Sequence, residues 1–157
     1  LRDDVKERFD TLISLLDSKT KLLQLLLVNE KSVSDLIKNE NGTEDEILKI
    51  TEYQWELIES IELEDYNISR LTDEITGKYK LDFNKILSAG CSQSETEFTI
   101  YKNEILLHRN IINEIIDLKS RNNALVDTSQ DDLKVQIAEL ERIGKLRLIL
   151  PKDLQSS

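Results

Sequence analysis

The stretch "VKERFDTLISLLDSKTKLLQLLLVNEKSVSDLI", Val5 to Ile37, decides the fold. Val5, Phe9, Leu12, Leu16, Lys19, Leu23, Leu26, Glu30, Val33 and Ile37 lie alternately four and three residues apart. A 3.5-residue period held this long keeps one helix face on the same partner, as in a coiled-coil seam. Only Lys19 and Glu30 interrupt its apolar character. Ile13, Leu15, Leu22 and Leu25 widen the stripe beyond two positions per heptad, which suits a helix touching more than one neighbour. The pattern predicts a helix from about Arg2 to Asn39.

Working outward, "NENGTEDE" (Asn39 to Glu46) stops that helix at Gly42 and starts another through a Thr43/Glu46 capping box. Acidic residues around a glycine invite a calcium-loop reading. It fails, because Gly42 in the sixth place puts Ile37 first and Leu48 twelfth, where carboxylates are required. A second helix is predicted from Glu44 to about Thr76, with Ile47, Ile50, Gln54, Leu57, Ile61, Glu64, Ile68, Leu71 and Ile75 on its seam and Gly77 as C-cap. Trp55 lies off that seam, either covering the bundle edge or exposed as a contact residue. Residues 78–95 read as a connector holding one short helix, Phe83 to Ser88, with Asp82 as N-cap.

A Ser94/Glu97 box then opens a third helix near Glu95. Phe98, Tyr101, Ile105, His108, Ile112, Ile115, Lys119, Asn122, Val126, Ser129, Leu133, Gln136, Leu140 and Ile143 hold one phase along it. Gly144 and Pro151 close the regular part. The expectation is a single all-α domain: an elongated antiparallel helical hairpin or three-helix bundle with coiled-coil-like packing, its hairpin ~50 Å long at ~1.5 Å per residue. The rod would occupy about residues 2–132, leaving an amphipathic C-terminal segment at about 133–150.

Composition agrees. In 157 residues there are 33% charged side chains, 4 glycines and one proline, too few turn formers for a β-fold. The net charge of −10 argues against nucleic acid, which needs a basic stripe to replace phosphate counterions, and against an acidic membrane surface. From Glu40 to Glu74 twelve acidic residues face only Lys49 and Arg70, whereas residues 133–152 carry a local excess of three positive charges. The absence of methionine marks Leu1 as other than a native start. "LLQLLLV" (Leu22 to Val28) is too short to span a bilayer, so an intracellular, soluble protein without membrane insertion is expected.

No catalytic constellation emerges. Cys91 is alone, which removes disulfide and thiolate-metal frameworks. His108 is the single histidine, and its seam position favours a packed imidazole over a base or ligand. Glu52, Glu56 and Glu59 form a row on one face, the usual form of a solvated surface. Glu-x-x-His pairs for a di-iron site are missing. The chain is read as a non-enzyme without cofactor or metal.

"SRNNALVDTS" (Ser120 to Ser129) is the anomaly, since asparagine is a poor helix former. Asn122 falls on the seam. It is either a register-setting buried polar residue or a polar notch where a client helix docks. The order of elements around it resembles the FlgN-type flagellar export chaperones. A leucine-rich first helix is followed by "ELIESIELEDYNISRLTDEITG", the connector "YKLDFNKIL" and a third helix with "IIDLKSRNNALVDTS". Asn122 and Leu125 match the last two positions of that family's N-x-x-N-x-x-L stretch, with Lys119 at the first. Leu63 and Glu64 match its L-E-x-x-R pattern, with Asn67 in place of the arginine.

The resemblance implies a cytoplasmic binding protein that holds the terminal helices of hook-associated proteins, blocks their premature assembly and delivers them to the flagellar export gate. Binding would be helix-in-groove or helix addition. The candidate partner-binding residues are Asn122, Leu125, Ile137, Leu140, Ile143 and Leu146, the last four forming an apolar stripe that either folds back on the acidic second helix or is kept for a partner, the weak run from Lys119 to Asp132 favouring the second. A structural coiled-coil or tethering subunit, a homodimer through its first helix, is the alternative, and a helical sensor or carboxylate-metal enzyme a third reading.

Overall fold

The computed structural model describes residues 3–39, 44–88, 96–125 and 130–146, with side chains of the last segment described from Lys134 onward. Its helices are α1 (Asp3–Lys38), α2 (Glu44–Tyr79), α3 (Phe83–Ser88), α4 (Thr96–Leu125) and α5 (Gln130–Lys145), and there is no strand among the described residues. The all-α bundle follows directly from the 3.5-residue seams.

The width of the α1 stripe is explained by its position. α1 packs against both α2 and α4. Its contacts with α2 run antiparallel: Arg8 meets Glu74, Lys19 meets Asp65, and Glu30 meets Gln54. Its contacts with α4 run parallel, because Lys6 meets Glu97, Thr20 meets His108 and Ser34 meets Asn122. At 36 residues, α1 is ~54 Å long.

Two apolar clusters alternate with two polar layers along this axis. The first cluster, around Phe9, Leu12, Leu16, Ile68, Ile75 and Ile105, is closed by α3 through Ile86 and Leu87. Phe9 sits against Phe83 (5.6 Å between ring centroids) and Phe98 (5.3 Å), and Phe83 also meets Tyr101 (5.2 Å). Such tilted and offset aromatic contacts add to the area buried. The second cluster, around Leu23, Leu26, Ile58, Ile61, Ile112 and Ile115, is closed by Ile143 and Leu146 of α5.

Two expectations are corrected. The single phase from Phe98 to Ile143 suggests one straight third helix, which would carry Glu139 ~30 Å beyond Lys119 at ~1.5 Å per residue. Instead Glu139 lies 2.8 Å from Lys119, so α5 runs back along α4. A second correction concerns the end of α2. The helix passes through Gly77 and ends at Tyr79, with Lys80 in the left-handed region (φ 57°) and its N–H donating to Thr76 O. Asp82 caps α3 as expected, accepting from Asn84 N at 3.0 Å. The Thr43 and Ser94 capping positions lie outside the described residues.

Candidate docking groove and the seat of α5

Polar exceptions on the seams meet one another, except that Lys19 is met by Asp65, beside the seam residue Glu64. In the inner layer, Lys19 Nζ lies 2.6 Å from Asp65 Oδ1. His108 Nε2 is 2.9 Å from Leu16 O and 2.7 Å from Thr20 Oγ1. A carbonyl only accepts, so Nε2 carries the hydrogen. Burial, with the nearby Lys19 charge, pulls the His108 pKa down to about 4, so the ring is neutral and structural. Burial pushes Asp65 up to about 6, with Glu62 and Glu64 adding to the shift and Lys19 opposing it.

The outer layer is larger. Lys119 Nζ donates to Glu30 Oε2 (3.1 Å) and Gln54 Oε1 (2.9 Å), and Gln54 Nε2 donates to Glu30 Oε2 (2.8 Å). Asn122 Nδ2 donates to Glu30 Oε1 (2.9 Å) and to the Glu30 carbonyl (3.2 Å), while Ser34 Oγ donates to Asn122 Oδ1 (2.8 Å). Glu139 of α5 adds a second carboxylate, 2.8 Å from Lys119. Every one of these side chains is buried. Burial raises the pKa of Glu139 against the pull of Lys119.

α5 is therefore seated by chemistry at four points. Ile143 and Leu146 are 0% and 3% exposed in the second cluster. Glu139 meets Lys119, and Lys19 Nζ donates to Leu146 O at 3.3 Å, a cation at the C-terminal end of the helix. Arg142 pairs with Glu62 of α2 and lies 4.7 Å over the Trp55 ring. Trp55 is half-buried beneath it, an edge-packing residue.

Beside the N-terminal half of α5, a groove of about 400 Å³ opens between α1, α2 and α4. Val33, Ile37, Ile47, Leu48 and Val135 form its apolar walls, the outer polar layer forms its floor, and Glu44 and Asp45 stand among its lining.

The candidate partner residues separate into three sets. Asn122 belongs to the floor of this groove and is tied into the bundle. Leu125 and Ile137 are open, at 65% and 49% exposed. Ile143 and Leu146 are core residues and Leu140 is half-buried, so the stripe is folded back onto the bundle. The physical reason is that two of its residues complete an apolar cluster that α1, α2 and α4 leave unfinished. Sequence reading missed Glu139, Leu48 and Val135. An acid inside an apolar stripe was the available signal for Glu139.

Among the described residues no group of three or more His, Cys, Asp or Glu could hold a metal ion. Glu52, Glu56 and Glu59 are exposed. No described helix is long and apolar enough to cross a membrane. No family model, curated protein or solved structure matches the chain.

Proposed function

We propose that this protein is a cytoplasmic, non-enzymatic FlgN-type export chaperone that binds the terminal helices of hook-associated proteins and passes them to the flagellar export gate. The observation that carries the reading is the apolar-walled groove at the end of the bundle, to which α5 contributes the exposed Val135. A groove of this kind accepts an amphipathic helix through apolar anchors at i, i+3 and i+4. Its position on the Asn122 end of α4 coincides with the sequence stretch that carries the family resemblance. The client assignment rests on that resemblance, and the place of binding on the groove.

Co-expression with hook-associated proteins tests it. A stable complex should form, and Leu48→Asp, at an exposed position (56%), should weaken it without lowering the melting temperature. A tethering role is favoured by a different observation, the exposed Leu25 and Val28 on the outer side of α1 (45% and 57%). On that reading the chain forms a dimer that Val28→Asp dissociates, and hook-associated proteins are not captured.

A further inference from the structure

Each of the two buried lysines keeps a counter-ion on the bundle without α5, and this makes α5 an exchangeable occupant. Lys119 already has Glu30 as counter-ion and Gln54 as a neutral acceptor, and Lys19 already has Asp65. What α5 brings is one more oxygen to each cation, Glu139 Oε1 to Lys119 and the Leu146 carbonyl to Lys19. An ammonium has three N–H donors, so each lysine retains a donor for the occupant of the seat. The charge that Glu139 adds is surplus to the pair beneath it. Between the two lysines lie the apolar partners of Ile143 and Leu146 on α1, α2 and α4.

We infer that the seat beneath α5 is a receptor for the client helix, which displaces α5 and reproduces its contacts: an acceptor side chain, Glu or Gln, then Ile or Leu four and seven residues later, with the helix ending at the second of these. The spacing is that of Glu139, Ile143 and Leu146. Termination at that point is required because Lys19 must reach a last-turn carbonyl oxygen, and a chain's terminal carboxylate satisfies it equally well. A leucine in the place of Glu139 leaves a buried N–H of Lys119 unmet, and a lysine there sets two cations together. The inference rests on the chaperone reading above and narrows its partner to a C-terminal amphipathic helix with this pattern.

The test uses the full chain and a fluorescent synthetic peptide with the sequence of residues 130–146. Anisotropy reports peptide binding, and emission of the single tryptophan, Trp55, reports departure of Arg142 from its ring. Ile143→Asp in the chain, which weakens its own α5, should raise peptide affinity at least tenfold over the parent. Glu139→Leu in the chain serves the same purpose if circular dichroism shows that the first variant has lost helicity. The peptide carrying Glu139→Gln should bind as the parent peptide does, and the peptide carrying Glu139→Leu should lose roughly tenfold or more. Equal binding of the Leu and Glu peptides, or no gain from either chain variant, overturns the inference. Capture of a hook-associated protein by a chain whose seat refuses the peptide also overturns it, while leaving the chaperone reading intact. Peptide binding without capture of any hook-associated protein upholds the receptor and removes the client assignment.

Discussion

Replacing Lys119 with methionine removes the buried cation that Glu30, Gln54 and Glu139 share. Methionine keeps most of the aliphatic volume, so the change is chiefly one of charge. It leaves two carboxylates, each 2–3% exposed, facing one another without a counter-ion. Removing one partner of a buried ion pair costs about 3–5 kcal/mol, because the remaining charge stays desolvated. For a chain of this length that lowers the melting temperature by roughly 10 °C or somewhat more. Acid should relieve part of the loss, since Glu139 already holds its proton more tightly than a free glutamate and takes it up further once Lys119 is gone. The measurement is urea unfolding of parent and Lys119→Met, followed by circular dichroism at pH 8 and pH 5. A loss below ~1 kcal/mol at pH 8, or a loss equal at both pH values, refutes the claim that this layer is a buried charge network.

Other outcomes follow from the same contacts. Asp65, raised from 3.8 to about 6, binds a proton in the fold before it does in the unfolded chain, so its contribution to stability grows as pH falls from 6 toward 4. His108, lowered from 6.5 to about 4, does the reverse, since the unfolded chain is protonated first and stability is lost over the same interval. Each is worth on the order of 3 kcal/mol and the two oppose, so His108→Gln should gain stability on acidification relative to the parent and Asp65→Asn should lose it; parallel profiles for the two variants contradict these assignments. Phe9→Ala empties the centre of the aromatic cluster and should cost about 3–5 kcal/mol in a denaturant melt. Asn122→Leu strands Glu30 Oε1 and should cost about 1–3 kcal/mol, so an unchanged midpoint would show that Asn122 only marks register.

The helices were legible because each seam repeats many times over, and an apolar position every 3.5 residues admits few other folds. The interruptions were legible too. Lys19 and Glu30 on the first seam, Gln54 on the second, and His108, Lys119 and Asn122 on the third belong to the two polar layers, whereas on the second seam it is Asp65, beside the expected Glu64, that meets Lys19. Which exceptions pair was hidden, because it depends on register between helices: α1 and α4 touch across a separation of 88 residues at Thr20–His108 and again at Ser34–Asn122. The return of α5 was hidden for a sharper reason. Ile143 stays in phase with Ile112 and Ile115 whether the chain continues straight or doubles back, so periodicity alone cannot separate the two courses. Glu139 separates them only in three dimensions, by finding Lys119.

The parallel alignment of α1 and α4 has a consequence for how the chain acquires its structure during synthesis. The α1–α2 hairpin can form as soon as residues to Tyr79 have emerged, through contacts that are antiparallel and comparatively local. The side of α1 that carries Thr20 and Ser34 gains its partners only when His108 and Asn122 have been made, and Leu23 and Leu26 meet Ile143 later still. Until α4 emerges the nascent segment is a two-helix hairpin with an uncovered leucine-rich side, a species prone to adhere to other chains. Pulse-labelled ribosome-bound chains should accordingly pass from a protease-sensitive to a protease-resistant form only after α4 is exposed, with docking of α5 as the last step.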